Sequence, residues 1–269
     1  MLLSGPVFAA VGIWAWRRRE IPVTRAQFCG ACGVGLLGYY MASWLDFWGL
    51  EFISANLERV ILLTYPMFVI FLGALFFRAP LRGYAIGSAF LSYAGLAVLL
   101  IFGQEAHHNG GQVMIGALLV FGSGLSYALY QLFAKQFIAA LGGSLFTAIA
   151  MVAAGAGILT HFAVTHPLSQ LAFSAEVFKI GVMLAIFSTV LPAFMISAAI
   201  KYAGSQATAI IGTISPLVTI LLSVSVLQEH FGWTEALGSA LVVGAVAFFT
   251  YWDMREQKRQ KQLVDAPEV

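Results

Sequence analysis

The chain has 269 residues, of which 60% are hydrophobic and only 10% are charged, and its net charge is +2. An average soluble domain carries about 25% charged residues, so this chain lacks the polar side chains that a water-facing surface needs. Together with a mean hydropathy of +0.88, this composition excludes a soluble enzyme, a nucleic-acid-binding domain and a disordered protein. Because a span with its loop takes roughly 25–30 residues, the length allows about nine or ten membrane spans.

Apolar runs separated by short polar breaks predict an all-α, polytopic membrane helix bundle. Most runs hold about 20 residues, enough to cross a hydrocarbon core of roughly 30 Å. A closed β-barrel would need alternating strands of about ten residues, and runs such as 60–77 are apolar on every side. In chain order, the predicted helices cover about 1–16, 27–47, 53–77, 82–103, 112–134, 139–160, 177–200, 205–227 and 232–252.

The basic residues predict how these helices are oriented. Of 14 Lys and Arg residues, twelve lie in alternate connections or in the C-terminal segment. The positive-inside rule therefore places those connections and the C-terminus in the cytoplasm. The two exceptions are Arg59, inside a span, and Lys179. The twelve are Arg17, Arg18, Arg19, Arg25, Arg78, Arg82, Lys135, Lys201, Arg255, Lys258, Arg259 and Lys261.

Nine helices with a cytoplasmic C-terminus would put the N-terminus outside. The first apolar run begins at Met1, has no flanking charge, and spans only about 24 Å in its roughly 16 residues. We therefore expect that one helix upstream is missing and that a ten-helix parent has both termini inside.

A long internal repeat is visible in the two halves. Ser54 precedes Pro66 by twelve positions, and Gly204 precedes Pro216 by the same distance; a Gly-Ser-Ala stretch follows each proline, at 87–89 and 238–240. The matching helices are an odd number of helices apart, so they cross the membrane in opposite directions, as in many secondary transporters. The predicted organisation is a first repeat over 1–104, a second over 112–252, and a basic cytoplasmic tail over 253–269.

At these residues the chain resembles the EamA-type members of the drug/metabolite transporter superfamily, which have two five-helix repeats. The resemblance covers nearly the whole chain and implies an inner-membrane carrier of small metabolites that lacks the family's first helix. One departure is Ala79-Pro80, which stands where the second half has Glu229-His230. The motifs that carry the resemblance are Ala203-Gly204-Ser205, Ser215-Pro216-Leu217, Gln228-Glu229, Gly238-Ser239-Ala240, 53–59, Leu63-Thr64-Tyr65-Pro66 and 126–130.

Glu58 and Arg59 are the sharpest candidates for binding substrate or an ion. Ionisable groups in lipid cost about 2.5–3.5 kcal/mol each, so they usually face a cavity or one another. In the functional interpretation, Glu58 binds a proton or a substrate amine, and Arg59 binds a carboxylate or holds the Glu58 helix. In the structural interpretation, Arg59 extends outward and pairs with Glu51 or Asp46.

Pro66 and Pro216 lie near mid-span, where each removes one helical hydrogen bond and frees a carbonyl. They are candidate hinges of an alternating-access site, although membrane helices also tolerate proline for packing alone. Tyr65 and Ser215 stand beside them and are candidates to line the same cavity.

Tyr127, Tyr130 and Gln131 share one helical face in the fifth predicted span. Aromatic rings beside an amide suit an amphipathic substrate. Tyrosines also gather at membrane interfaces, which is the alternative explanation.

No metal or cofactor is predicted. Cys29 and Cys32 form a CxxC pair without the strand–helix context of a redox motif, and the histidines lack further ligands at zinc spacing. Glycines that cluster near the second and fifth spans are predicted to permit close helix packing: Gly30, Gly33, Gly35, Gly38, Gly122 and Gly124.

The leading functional hypothesis is a secondary transporter of a small organic solute, amino-acid-like or amphipathic, and not an enzyme. The predicted partners are that solute, the lipid bilayer, protons as a coupling ion and a second copy of the chain. Two alternatives remain: a membrane enzyme acting on lipids or prenyl chains, for which the paired acids that hold a metal are missing, and a non-transporting scaffold.

Overall fold

The computed structural model describes residues 1–78, 81–102, 104–167, 174–212 and 232–264, with Val218 and Ser225. These parts are almost entirely helical, and they contain no strand. The prediction of an all-α membrane bundle is confirmed. The helices are α1 (Gly5–Arg17), α2 (Arg25–Gly49), α3 (Ala55–Leu62), α4 (Tyr65–Phe77), α5 (Gly83–Phe102), α6 (Gln104–Leu141), α7 (Gly143–Thr165), α8 (Ala175–Gly204) and α9 (Trp233–Val264).

Seven stretches of the described chain are long and apolar enough to cross a membrane. The paired helices α3 and α4 count as one of these spans, Ala55–Phe77. The first predicted span corresponds to α1, which has 13 residues. The eighth, 205–227, falls largely outside the described residues, although helical backbone continues past a kink at Gly204 as far as Gly212.

One predicted boundary is wrong. The sequence predicts that one helix ends at 134 and the next begins at 139. In the structure, α6 continues through Lys135 to Leu141. The break comes at Gly142, whose φ of +79° lies in the left-handed region that favours glycine. Residues 135–141 carry no proline or glycine, so nothing ends the helix earlier. At the C-terminus, α9 likewise extends helical backbone to Val264, into the predicted tail.

The chain divides into two compact units. The first unit comprises Met1–Trp44 and Ser126–Thr208, and the second comprises Leu45–Leu125 and Ala209–Val269. Each unit thus contains segments from both predicted repeats.

In the first unit, glycine allows α2 to approach both α7 and α6 closely. A Cβ on Gly35 would clash with the backbone of Ala150, and one on Gly38 would clash with the ring of Tyr130. Gly33 faces open space and has no such role. The predicted packing function therefore holds for Gly35 and Gly38 but not for every glycine of that cluster.

In the second unit, α5 and α9 pack through glycine in the same way. A Cβ on Gly95 would lie 2.8 Å from the Gly238 carbonyl oxygen, and a Cβ on Gly238 would clash with Leu99. Around this contact, apolar side chains from α3, α5, α6 and α9 form one core that includes Leu57, Leu96, Val120 and Val242.

Basic side chains connect chain segments at one end of each unit. In the first unit, Arg19 donates from its guanidinium to the Leu141 carbonyl (2.5 Å) and the Ala140 carbonyl (2.9 Å). In the second, Arg82 donates to the Tyr84 hydroxyl, which donates to Asp253, each over 3.0 Å. The first connection therefore meets the α6–α7 turn, and the α4–α5 connection meets the extension of α9.

Candidate functional site

Glu58 is buried in the first turns of α3, within the second unit. Ser54 caps this helix, its hydroxyl accepting from the Leu57 N–H over 3.3 Å. The positive end of the helix dipole thus lies near the carboxylate, which has no exposed surface. Arg59 Nε lies 3.0 Å from Glu58 Oε2, and the Arg59 side chain keeps 34% of its surface exposed. Neighbours in sequence therefore form the ion pair that neutralises Glu58.

Asp46 on α2 adds a second carboxyl group to this cluster. It lies in hydrogen-bonding contact with Glu58 and interacts electrostatically with Arg59. Glu51, the other predicted partner of Arg59, is exposed. The structure pairs Arg59 with Glu58 and not with Glu51, and the positive charge of Arg59 also acts on Asp46. Asp46, Glu58 and Arg59 are called the carboxylate cluster below.

Pro66 lies just after a break in the third predicted span. Helix α3 ends at Leu62 and α4 begins at Tyr65, so the proline sits in the first turn of a new helix, where its missing N–H is tolerated. The Thr64 hydroxyl donates to the Ile61 carbonyl over 2.7 Å at this break. Tyr65 is buried, with its Cβ beside Gly124. The sequence placed proline mid-span, and the structure places an interruption of the helix at that position.

The first unit contains a separate cluster of aromatic and polar side chains. The hydroxyl oxygens of Tyr39 and Tyr130 lie 2.8 Å apart, and their rings meet edge to face at 4.9 Å. Tyr127 stacks on Tyr130 at 5.6 Å, and its hydroxyl forms a hydrogen bond with the Gln131 side chain. We call Tyr39, Tyr127, Tyr130 and Gln131 the tyrosine cluster. The structure therefore brings together the three residues predicted on α6 and adds one from α2.

Burial divides the tyrosine cluster into two parts. Tyr130 and Gln131 have 0% and 1% of their surfaces exposed, whereas Tyr39 and Tyr127 are half-buried. Behind the cluster, Tyr130 contacts Ser197, which also forms a short hydrogen bond with Thr147. Tyr130 is thus placed to hold its neighbours, and Tyr39 and Tyr127 present the accessible surface.

Sequence reasoning named Asp46 only as a partner of Arg59 and not of Glu58. It missed Tyr39, Thr147 and Ser197 around the tyrosine cluster. A polar residue within an apolar run was the available signal. Which of many such residues meet depends on contacts between distant segments. Two other candidates, Ser215 and Pro216, lie outside the residues that the structure describes.

A groove of about 490 Å³ opens on the first unit between α1, α2 and α7. Phe8, Trp16, Phe28 and Leu145 are among its apolar lining residues, with Arg17 also part of the wall. Its lining suits a lipid chain better than a polar solute, and none of the predicted site residues line it.

Long apolar helices that enclose buried charged and polar side chains are typical of a multi-pass membrane protein. Comparison with known proteins agrees. The profile of the EamA-like transporter family matches residues 1–101 and 114–251. The chain belongs to this family, and so to the drug/metabolite transporter superfamily that the motifs indicated.

Two further similarities extend this result. The chain is 27% identical over 240 residues to YcbK of Bacillus subtilis (strain 168), described as an uncharacterized transporter, covering 86% of this chain and 74% of YcbK. A crystal structure of another protein matches with a TM-score of 0.65 at 19% identity, over 94% of this chain and 86% of that one. The second likeness concerns the fold alone.

Proposed function

We propose that this chain is a secondary transporter that moves a small organic solute, amino-acid-like or amphipathic, across a cell membrane by alternating access. Membership of a transporter family and the apolar spans support the class. The observation that carries the solute assignment is the tyrosine cluster: half-buried rings beside a buried amide inside transmembrane helices. Rings contribute apolar contact area, while hydroxyl and amide groups orient a polar end.

The proposal assigns roles to individual residues. Tyr127 contacts the solute, and Gln131 orients it by hydrogen bonding. Tyr130 keeps both in place from its buried position. Tyr65 and Ser215 line the pathway beside the prolines, and Pro66 and Pro216 act as the hinges at which helical segments change direction.

The carboxylate cluster is proposed to couple transport to the proton gradient through Glu58, with Arg59 as its counter-ion. Basic residues on alternate connections favour a cytoplasmic C-terminus in the cell membrane. The contact of Arg19 with the α6–α7 turn supports this orientation, because it places two of the basic segments at the same end of the first unit.

The test is solute uptake by the purified protein in proteoliposomes, screened with a library of labelled amino acids and amphipathic amines. We expect saturable uptake of at least one class, and Tyr127→Ala should reduce it by about tenfold or more, a loss of roughly 1.4 kcal/mol of binding. The matched control is Tyr202→Phe, a tyrosine with 82% of its surface exposed.

The same preparation separates the alternatives. Conversion of added lipid or prenyl substrate without solute uptake would identify a membrane enzyme instead. Absence of both uptake and conversion across the library would favour a scaffold and overturn the proposal. Uptake that Tyr127→Ala leaves unchanged would remove the tyrosine cluster from the solute pathway.

A further inference from the structure

The carboxylate cluster contains more negative than positive charge. Asp46 and Glu58 supply two carboxyl groups, and the Arg59 guanidinium supplies one positive charge. With every group ionised, the cluster would carry one uncompensated negative charge. Glu58 has no exposed surface, so water does not stabilise that charge.

The buried carboxyl oxygens support the same conclusion through their unmet hydrogen-bonding capacity. Asp46 Oδ1 and Glu58 Oε1 are buried, and within the described part of the chain neither accepts a hydrogen bond from an N–H or a hydroxyl group. The two carboxyl groups nevertheless lie in hydrogen-bonding contact with each other. Two carboxylates offer only acceptors, so this contact becomes a hydrogen bond only when one of them carries a proton.

The neighbouring elements supply no further charge to Glu58 among the described residues. Asp46 comes from α2, and Arg59 lies on α3 itself. The side chains of α5, α6 and α9 that share a core with α3 include Leu96, Val120 and Val242, which are apolar and do not titrate. Like charges in contact at such a site do not both ionise, and one proton satisfies both groups.

We propose that Asp46 and Glu58 hold one exchangeable proton between them, while Arg59 neutralises the carboxylate that remains. The protonated carboxyl group donates its O–H to the other carboxylate. On release, the proton goes to water and leaves a single negative charge, which draws a proton back. Use of this proton in solute transport rests on the proposed function, but its presence does not.

Infrared difference spectroscopy of the purified protein tests the shared proton directly, without solute or transport. The carbonyl stretch of a protonated carboxyl group is resolved from that of a carboxylate and shifts in deuterium oxide. At neutral pH we expect one such band in the wild-type protein. Asp46→Asn and Glu58→Gln should each abolish it, because either substitution leaves one carboxylate paired with Arg59. Glu51→Gln, which removes an exposed carboxyl, should leave the band unchanged.

Three results would overturn the proposal: absence of the band in the wild-type protein, its survival in Asp46→Asn, or its survival in Glu58→Gln. Survival in one single variant would show that one carboxyl is protonated on its own. Arg59→Gln provides a second test of the shared proton, because this variant retains both carboxyl groups. Without the cation both should be protonated, and the band should grow roughly twofold; an unchanged band in that variant would also contradict the assignment. If the infrared bands behave as expected but the protein transports no solute, only the proposed function is contradicted.

Discussion

The Tyr39 and Tyr130 hydroxyl groups lie 2.8 Å apart although 91 positions separate the two residues in the chain. This contact joins α2 to α6 inside the first unit, at a place where Tyr130 is completely buried. A buried hydroxyl without a partner is unfavourable, so each tyrosine stabilises the position of the other.

A double-mutant cycle should reveal this coupling. Tyr39→Phe and Tyr130→Phe each break the hydrogen bond between the two hydroxyl groups, whereas the double variant removes both groups. We expect the double variant to be more stable than the sum of the single effects predicts, by about 0.5–1.5 kcal/mol. Unfolding in detergent by denaturant measures it, with Tyr202→Phe as the exposed control. Strictly additive effects would show that the hydrogen bond contributes nothing.

Close packing of α2 on α7 can be tested with a matched pair of glycines. Gly35→Ala places a methyl group against the Ala150 backbone, whereas Gly33→Ala, two residues away, meets open space. Overpacking of this kind typically costs about 1–3 kcal/mol. We therefore expect Gly35→Ala to lower the thermal midpoint in detergent by several degrees, and Gly33→Ala to preserve or raise it. Equal effects of the two substitutions would contradict the packing described.

If the carboxylate cluster couples transport to protons, replacing Glu58 should reduce uptake without reducing the amount of folded protein. Glu58→Gln preserves shape but removes the charge that faces Arg59 and Asp46, so we expect initial uptake to fall about tenfold or more, or roughly 1.4 kcal/mol in activation free energy. Proteoliposomes containing equal amounts of protein provide the measurement, and Glu51→Gln is the control. Undiminished uptake by Glu58→Gln would leave Glu58 with a structural role alone.

Arg59 should be replaceable in part by lysine. Removing one partner of a fully buried ion pair costs about 3–5 kcal/mol, and the partial exposure of Arg59 reduces that cost. Arg59→Lys retains the positive charge and should retain more folded protein than Arg59→Ala, measured by size-exclusion chromatography after extraction. Equal yields of the two variants would mean that the charge of Arg59 does not stabilise Glu58.

The orientation of the chain can be read from single cysteines. In a background with Cys29 and Cys32 changed to serine, Arg259→Cys and His166→Cys each place a thiol at an exposed position. We expect a membrane-impermeant maleimide added to intact cells to label His166→Cys but not Arg259→Cys, because the positive-inside rule puts the basic C-terminus in the cytoplasm. The reverse pattern would invert the proposed topology.

Membrane residence and helical structure were accessible from composition alone. In lipid every backbone polar group must be satisfied within the chain, so long apolar runs without strand alternation have one regular solution. Helix ends were less accessible. The break at Gly142 and the extension of α9 depend on local backbone conformation, and hydropathy does not report it.

The functional residues likewise divide into those that the sequence reveals and those that it does not. Burial of an ionisable group in lipid is costly, so Glu58 and Arg59 stood out as soon as their span was recognised. Tyr127, Tyr130 and Gln131 were found by helical spacing, which is a local property of one element.

Partners from other elements were decided only by the tertiary structure. Asp46 meets Glu58, and Tyr39 meets Tyr130, because separate helices pack at particular heights and rotations. The sequence by itself determined that this protein crosses a membrane as helices and carries charge within them. Only the tertiary structure showed that two carboxyl groups oppose a single arginine, since proximity between separate helices is a property of packing and not of spacing along one helix.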